Sequence, residues 1–596
     1  MDIRPIGGQR GFFCRQQQGA IPMSRIASFD RPIQSTHQHV YGSDVIAEAF
    51  RAVGMRYVAV CPGTSLRGFH DSVVNHLNNE SPQLVTVLHE ESAVALAHGY
   101  AKVTGQAMGV MAHANVGLLH ASMAIFNAWC DRVPMVVIGG VGPLDAANRR
   151  AWIDWIHTSQ DLGAMVRDFT KWDDRPASVA ASVESIRRSW TISHTLPHGP
   201  TYLNFDWELQ EAATEAPPVG RSPMKDAVPL AGAPPATLVR QIAQLAGEAC
   251  YPLLLVGRVE VDNKSWQDRV ALADRFGMRV LTDIKVRAGF PTDHPLHGPG
   301  GGLFLSDEAF AEFDKSDFVL SLDWVDLGTM TNRPASSPRV VVHVSTDQAM
   351  HRGWNADYQV LPTVDWHLAC APGAMVDALL AEPGTRHPAN AVARHKRPTA
   401  AFPSGMAEIT MPFLGETLKD VLRMVEASLV RVPLRWHYDW IDAGCALDFL
   451  GYDGGAGLGS GPGMLVGAAL ALQGTDRLAV AVLGDGDTLM GGTAFWTAAH
   501  YELPMLAIVA NNASFYTDEL HQERVAKGRS RPTTNKWIGQ AITDPLPDLA
   551  AFARSLGIVG IDRVSRPDQL RDALTEAVRL AGSGKAVLVD VRVHGS

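Results

Sequence analysis

GDGDTLMGGTAFWTAAHYELPMLAIVANN, residues 484–512, decides how this chain is read. The run LAVAVL (478–483) before it and MLAIVA (505–510) within it are short, apolar and β-rich, with a helix-length stretch between them. This strand–helix–strand frame places Asp485 and Asn512 just beyond the carboxyl ends of parallel strands, the edge at which open α/β sheets bind ligands. A carboxylate and an amide oxygen there suit a Mg²⁺–diphosphate pair, with Gly484 and Gly486 letting a phosphate approach the backbone. Mg²⁺ wants six hard oxygen ligands and usually takes some of them from phosphate. Gly, Asp and Asn also dominate ordinary turns, so GDG or NN alone would say little. Their joint placement carries the reading.

Working outward, the same alternation of apolar β-runs with helical periodicity fills three blocks, the mark of α/β domains with parallel sheets. YVAVC (57–61), LVTVLH (84–89) and MVVIGG (135–140) lie in the first block. PLLLVG (252–257), RVLTDI (279–284) and FVLSL (318–322) lie in the middle one, and LAVAVL, MLAIVA and AVLVDVRV (586–593) in the last. Two Pro-rich stretches separate the blocks as extended linkers. The expected organisation is three doubly wound parallel-sheet domains: a tail at 1–37, a first domain at 38–212, a linker at 213–236, a middle domain at 237–382, a linker at 383–404 and a last domain at 405–596.

In the first block YVAVC runs into Pro62, Gly63 and Thr64, LVTVLH into Glu90, and AMGVMA into His113. EESAVALAHGYAKVTG between the last two reads as a helix ending at Gly105. A right-handed crossover brings Glu90 and His113 to one edge of the sheet. Read from spacing alone, Glu90 is first a carboxylate favoured by a helix N-terminus, a role Glu91 fills as well, and His113 is first a satisfied strand-end histidine.

GDG followed by NN about one βαβ unit later resembles the cofactor signature of the thiamine diphosphate (ThDP) enzymes, a resemblance extending over roughly residues 38–596. It implies that Asp485, the Asn512 side chain and the Ser514 carbonyl hold Mg²⁺, with Gly484, Gly486 and Asp487 around the diphosphate. HEESAVALAHGYAKVTG resembles the segment whose glutamate, here Glu90, contacts the cofactor's aminopyrimidine ring. A carboxyl that protonates that ring turns its amino group into a base. GAGLGSGPG (455–463) resembles the segment that bends the cofactor, with Leu458 as the prop and the Ala456 carbonyl as an acceptor. The first, middle and last blocks then become pyrimidine-binding, middle and diphosphate-binding domains.

Within that family, PGT (62–64), HANVGLLHASMAIFNAW (113–129) and TAFWTAAHYELP (493–504) are most similar to the benzoylformate decarboxylase branch. The resemblance implies a proton-transfer role for His113, a Thr64 hydroxyl at the substrate carboxylate, and His294 in FPTDHP as a second catalytic histidine. Leu118, Leu119 and His120 depart from that pattern, as does the stretch after Asn512, where Tyr516, His521, Glu523 and Trp537 line either a substrate mouth or a surface helix. The implied chemistry is cleavage or formation of a C–C bond beside a carbonyl, foremost decarboxylation of a 2-oxo acid with possible carboligation. Acetolactate synthase-like carboligation with bound FAD, lysis of a 2-hydroxyacyl- or oxalyl-CoA, and a non-catalytic member of the fold are the rivals. The middle domain's ligand, whether FAD, a nucleotide or CoA, is left open, although HGPGGG (297–302) is a loop able to approach a phosphate. The family also implies a homodimer or homotetramer with sites between chains.

Composition narrows the remainder. With 52 basic against 62 acidic residues the net charge is −10, which argues against nucleic acid as the main partner. No apolar run is long enough for a membrane span. Six cysteines without a C-x-x-C pair indicate neither a cysteine zinc site nor a disulfide framework. The N-terminal stretch lacks the apolar core of a secretory signal, so an unstructured tail (or a start at Met23) and a cytoplasmic setting are expected. GAGLGSG (455–461) resembles a dinucleotide loop only in part, because Ser460 stands where the third glycine belongs and no clear strand precedes it.

Overall fold

The computed structural model describes residues 28–35, 39–219, 228–333, 339–347, 360–383, 402, 405–452 and 454–594. Within them three fully parallel sheets form in chain order. The first comprises β1 (Tyr57–Val60), β2 (Gln83–Thr86), β3 (Met108–His113), β4 (Met135–Val141), β5 (Asp173–Asp174) and β6 (Pro200–Asp206), ordered β2-β1-β3-β4-β6-β5. The second comprises β7 (Pro252–Val256), β8 (Arg279–Thr282), β9 (Phe318–Leu322), β10 (Val340–Val344) and β11 (Trp366–Leu368), ordered β11-β10-β9-β7-β8. The third comprises β12 (Ala427–Arg431), β13 (Leu478–Gly484), β14 (Met505–Asn511), β15 (Val559–Val564) and β16 (Ala586–Arg592), ordered β12-β13-β14-β16-β15. The expected three-sheet α/β architecture is the observed one.

Central strands such as Met505–Asn511 are buried along their whole length, because helices cover both faces of a parallel sheet. The helix Glu90–Thr104 stops where Gly105 adopts φ +71° and returns its N–H to the Ala101 carbonyl, a geometry that suits glycine. The helix expected between β13 and β14 is two pieces, Asp485–Gly491 and Ala494–His500, and the GDG glycines open the first of them.

The first and last domains share one continuous hydrophobic core. At its centre Glu90–Thr104 packs on Ser460–Ala471, and small residues set the spacing. A Cβ added to Gly463 would stand 2.7 Å from the Ala95 Cβ, and one added to Gly99 or Gly467 would overlap the Met464 or Leu96 carbonyl. Leu96 and Leu465 are fully buried here, each worth about 1.5–3 kcal/mol. A polar tie reinforces the junction: Lys102 Nζ, paired with Asp131 Oδ2 inside the first domain, donates across it to the Tyr452 carbonyl, both at 2.6 Å.

Within the expected N-terminal tail, residues 28–31 are docked. Asp30 accepts from the Tyr501 hydroxyl at 2.6 Å, and its carbonyl accepts from Asn79 Nδ2 at 2.9 Å. Most of the second Pro-rich linker lies outside the described residues. The HGPGGG loop packs on the last domain: the Gly301 carbonyl accepts from Tyr438 N–H at 2.8 Å, and His297 stacks on Tyr438 at 5.9 Å. Among the described residues no helix is long and apolar enough to cross a membrane, and the five described cysteines are free.

Candidate active site

β13 and β14 are neighbours with Gly484 paired to Ala510, so the residues that follow them, Asp485 and Asn512, come out side by side. The Ser514 N–H bridges them, donating to Asn512 Oδ1 at 3.0 Å and Asp485 Oδ2 at 3.2 Å. Burial pushes the Asp485 carboxyl up, against the pull of the backbone N–H groups of Gly486, Ala513 and Ser514. A desolvated carboxylate beside an amide oxygen is a donor set for a hard cation. A Cβ on Gly484 would meet nothing within 4 Å, leaving room beside that pair. The residues present therefore fit a divalent cation and a diphosphate. The Ser514 hydroxyl is engaged with Glu519 and, at 3.2 Å, the Gln540 carbonyl.

Asp487 faces elsewhere. Its Oδ1 accepts from Gly459 N–H at 2.7 Å and Gly461 N–H at 3.3 Å, and its Oδ2 lies 3.3 Å from Arg431 Nε. It clamps the 455–461 loop that carries Ala456 and Leu458. The first domain grips the other side of that loop: buried Asn127 accepts from Gly457 N–H at 3.2 Å, and a Cβ on Gly459 would stand 3.1 Å from Glu91 Oε1. Burial, and then the charge of Asp487, push the Glu91 carboxyl up.

On the first sheet β1 lies between β2 and β3, so Thr64, Glu90 and His113 share one edge. Glu90 Oε2 meets His120 Nδ1 at 3.1 Å, and a Cβ on Gly117 would stand 3.2 Å from Glu90 Oε1. The Cys61 thiol is pushed up to about 11 by burial, by the charge of Glu90 and by a hydrogen bond to it. His89 caps the helix by accepting from Glu91 N–H and stacks on His120 at 5.2 Å. His113 packs over Gly63, and its Nδ1 meets the Ser65 N–H at 3.3 Å and the Ser65 Oγ at 2.9 Å. An N–H can only donate, so Nδ1 holds the lone pair and the neutral ring carries its proton on Nε2. Burial lowers the His113 pKa, and the neighbouring His157 ring, 4.9 Å away, lowers it further against an opposing pull from Glu90.

Three alanines hold left-handed backbone at these places: Ala114 (φ 43°) after His113, Ala456 (φ 58°) in the loop, and Ala513 (φ 58°) after Asn512. Such conformations cost about 1 kcal/mol or more each and cluster where function demands a fixed geometry.

His294 stands apart from this constellation. It accepts from Leu296 N–H, lies 3.4 Å from Asp274 and packs edge-on to Phe290, all within the middle domain. The helix Tyr516–Gly528 follows Ser514; its Glu523 pairs with Lys527 and Lys536, while the His521 side chain and Trp537 are exposed. Sequence reading missed Ser65, His157 and the pairing of His120 with Glu90. The histidine standing among the departures after Gly117 was the available signal for the last.

Residues 40–164 match the description "Thiamine pyrophosphate enzyme, N-terminal TPP binding domain", and residues 435–591 match its C-terminal counterpart. Both cofactor-binding domains of the thiamine pyrophosphate enzymes are thus matched, in order along the chain. Among relatives it is similar to a probable acetolactate synthase large subunit of Methanocaldococcus jannaschii, at 21% identity over 92% of this chain and 91% of that protein. It is similar also to a benzoylformate decarboxylase of Pseudomonas aeruginosa, at 24% identity over 85% and 90%. Among solved structures, the benzoylformate decarboxylase of Polynucleobacter necessarius shares the fold with a TM-score of 0.75, at 20% identity over 93% and 99%.

Proposed function

We propose that this protein uses ThDP and Mg²⁺ to decarboxylate a 2-oxo acid, with ligation of the resulting acyl unit to a second carbonyl as the companion outcome. The observation that carries this reading is the single strand-end edge holding Thr64, Glu90 and His113, in a chain whose other cofactor domain pairs Asp485 with Asn512. Asp485, Asn512 and the Ser514 carbonyl would hold the metal; Gly484 and Gly486 would admit the diphosphate; Leu458 and Ala456 would set the cofactor's bend. When bound, ThDP supplies a carbon nucleophile and an electron sink.

The chain's own residues then manage protons. Glu90 would face the aminopyrimidine, held by His120 on one oxygen. Thr64, exposed at the strand end, would orient the substrate carboxylate. Loss of CO₂ leaves an electron pair on the former carbonyl carbon, and its protonation gives an aldehyde. His113 suits that transfer: a depressed pKa makes the ring a weak base and, once protonated, a ready donor. His294 is the weaker catalytic candidate, because its partners belong to the middle domain.

The exposed apolar residues Val116, Leu119 and Met123, spaced along one helix face, lie beside the loop holding Gly457. They support a dimer whose second chain covers this rim, which sedimentation would test. For the reaction, CO₂ release is measured with ThDP and Mg²⁺ across pyruvate, branched-chain 2-oxo acids, phenylpyruvate and benzoylformate, with products assigned by NMR. Release abolished by Glu90→Gln supports the reading. Silence across the panel with ThDP bound overturns it in favour of acyl-CoA or hydroxy-ketone substrates.

A further inference from the structure

His39, Glu48 and His76, none of them among the residues named above for the cofactor or the substrate, meet where the chain enters and leaves the first domain. Entry and exit are already paired there: Gly42 N–H donates to the Ala212 carbonyl at 3.0 Å, and Thr214 N–H to the Val40 carbonyl at 2.8 Å. Glu48 projects from the helix Gly42–Ala52 and is 4% exposed. His76 closes a π-helical segment, Ser72–His76, a helix form that recurs at functional sites. One carboxylate oxygen and one nitrogen from each ring all lie within 4.8 Å of one another.

The protons decide what this cluster wants. His39 Nε2 lies 2.9 Å from the Ala216 carbonyl, which can only accept, so Nε2 carries the hydrogen. The other nitrogen, Nδ1, is buried without a hydrogen-bond partner and faces Glu48 Oε1 at 3.4 Å. A lone pair therefore confronts a carboxylate oxygen, and that arrangement calls for a cation between them. The second Glu48 oxygen is held by Val219 N–H at 2.6 Å, and His76 Nε2 reaches Oε1 at 2.8 Å.

We propose that His39 Nδ1, Glu48 Oε1 and His76 Nε2 form a binding site for a divalent transition cation of the Zn²⁺ type, separate from the Mg²⁺–diphosphate pair. Ligand atoms about 2.0–2.1 Å from a tetrahedral Zn²⁺ stand about 3.3 Å apart, close to the His39–Glu48 separation. The outer contacts are those metal ligands ordinarily keep: a ring N–H on a backbone carbonyl and a backbone N–H on the spare carboxylate oxygen. His76 has to open by about half an ångström and move its hydrogen to Nδ1 to reach that spacing. Three protein ligands leave a fourth position for water. The ion would fasten the entering segment, the first helix and the departing chain together.

The test uses the full chain, stripped with a chelator and then saturated with ThDP and Mg²⁺ so that the diphosphate site is filled. Zn²⁺ affinity is measured by calorimetry, and retained metal by elemental analysis after gel filtration. We expect one retained Zn²⁺ per chain, with affinity at least tenfold weaker in both His39→Ala and Glu48→Gln, and an X-ray absorption edge showing two imidazole ligands. Circular dichroism checks folding; if Glu48→Gln misfolds, His39→Ala decides. No retained Zn²⁺ in the wild type would overturn the site and leave a protonated His39 as the cation. Wild-type affinity in the folded variants would overturn it as well.

Discussion

Replacing Asp487 by Asn and by Ala separates the forces that hold the 455–461 loop. The Asp487 and Arg431 side chains are each 3% exposed and 3.3 Å apart. Removing one member of a buried ion pair typically costs about 3–5 kcal/mol, and Asp487→Asn does this while keeping an oxygen for Gly459 N–H. Asp487→Ala removes the acceptor too. The 2.7 Å bond to Gly459 N–H is charge-assisted and worth about 1.5–3 kcal/mol, whereas the 3.3 Å bond to Gly461 N–H is long and weak. The alanine variant should therefore be the less stable of the two, by at most that further amount, since the contributions share one carboxylate. Because the loop carries Ala456 and Leu458, part of the loss should appear as cofactor affinity. About 1.4 kcal/mol is tenfold in Kd, so a loop disordered by about 1.4–2.8 kcal/mol binds ThDP about 10–100-fold more weakly. Urea midpoints of the cofactor-free chain and ThDP calorimetry at saturating Mg²⁺ measure the two effects. An Asp487→Ala chain with the wild-type midpoint and a Kd within about twofold would refute the clamp.

Glu90→Gln should lower kcat by about 10²–10⁴-fold with ThDP still bound, since a positioned proton-transfer group contributes that much; steady-state kinetics with calorimetry checks it. His120→Ala frees one oxygen of Glu90 and should change kcat more than KM, with the pH profile of kcat displaced. His113 is held below its ordinary value of 6.5, so below pH 6.5 the unfolded chain binds more protons than the native one. Stability contributed by keeping this ring neutral is complete above pH 6.5 and is lost as pH falls from there through the lowered pKa. His157→Ala removes one cause of the depression, so the alkaline limb of kcat/KM, along which the donor form of His113 is lost, should move to higher pH; an unmoved limb would show that His113 is not the titrating group. Gly467→Ala drives a methyl into the Leu96 carbonyl and should cost about 1–3 kcal/mol or more, read as a lower urea midpoint.

The sheets were legible because parallel strands covered on both faces must be apolar throughout, and LAVAVL and MLAIVA are almost nothing else. Asp485 and Asn512 were legible for a related reason: a polar residue directly after such a strand has only the ligand-binding edge to occupy. Asp487 was not, because its i+2 place in GDG does not say whether it faces the diphosphate or turns back, as it does, onto Gly459 and Arg431. His157 and Ser65 come to His113 from 44 residues after it and 48 before it in sequence, through a loop and a tight turn. No periodicity encodes such meetings. HGPGGG shows the opposite limit: a loop flexible enough for a phosphate is equally flexible enough to pack on Tyr438.

The division of labour between the two glutamates follows from the helix they begin. Successive residues at a helix start point about 100° apart, so one cannot share the other's partners. Glu91 turns toward Gly459 and the last domain, where it and Asp487 bracket the loop. Glu90 turns toward Cys61, Gly117 and His120 at the strand edge. The close contact between Glu90–Thr104 and Ser460–Ala471 fixes this orientation, because Gly99, Gly463 and Gly467 allow neither helix to rotate without driving side chains into the other backbone. The packing that joins the two cofactor domains is thus also what aims the Glu90 carboxylate, and a substitution that spreads those helices should disturb proton transfer before it disturbs either domain's own sheet.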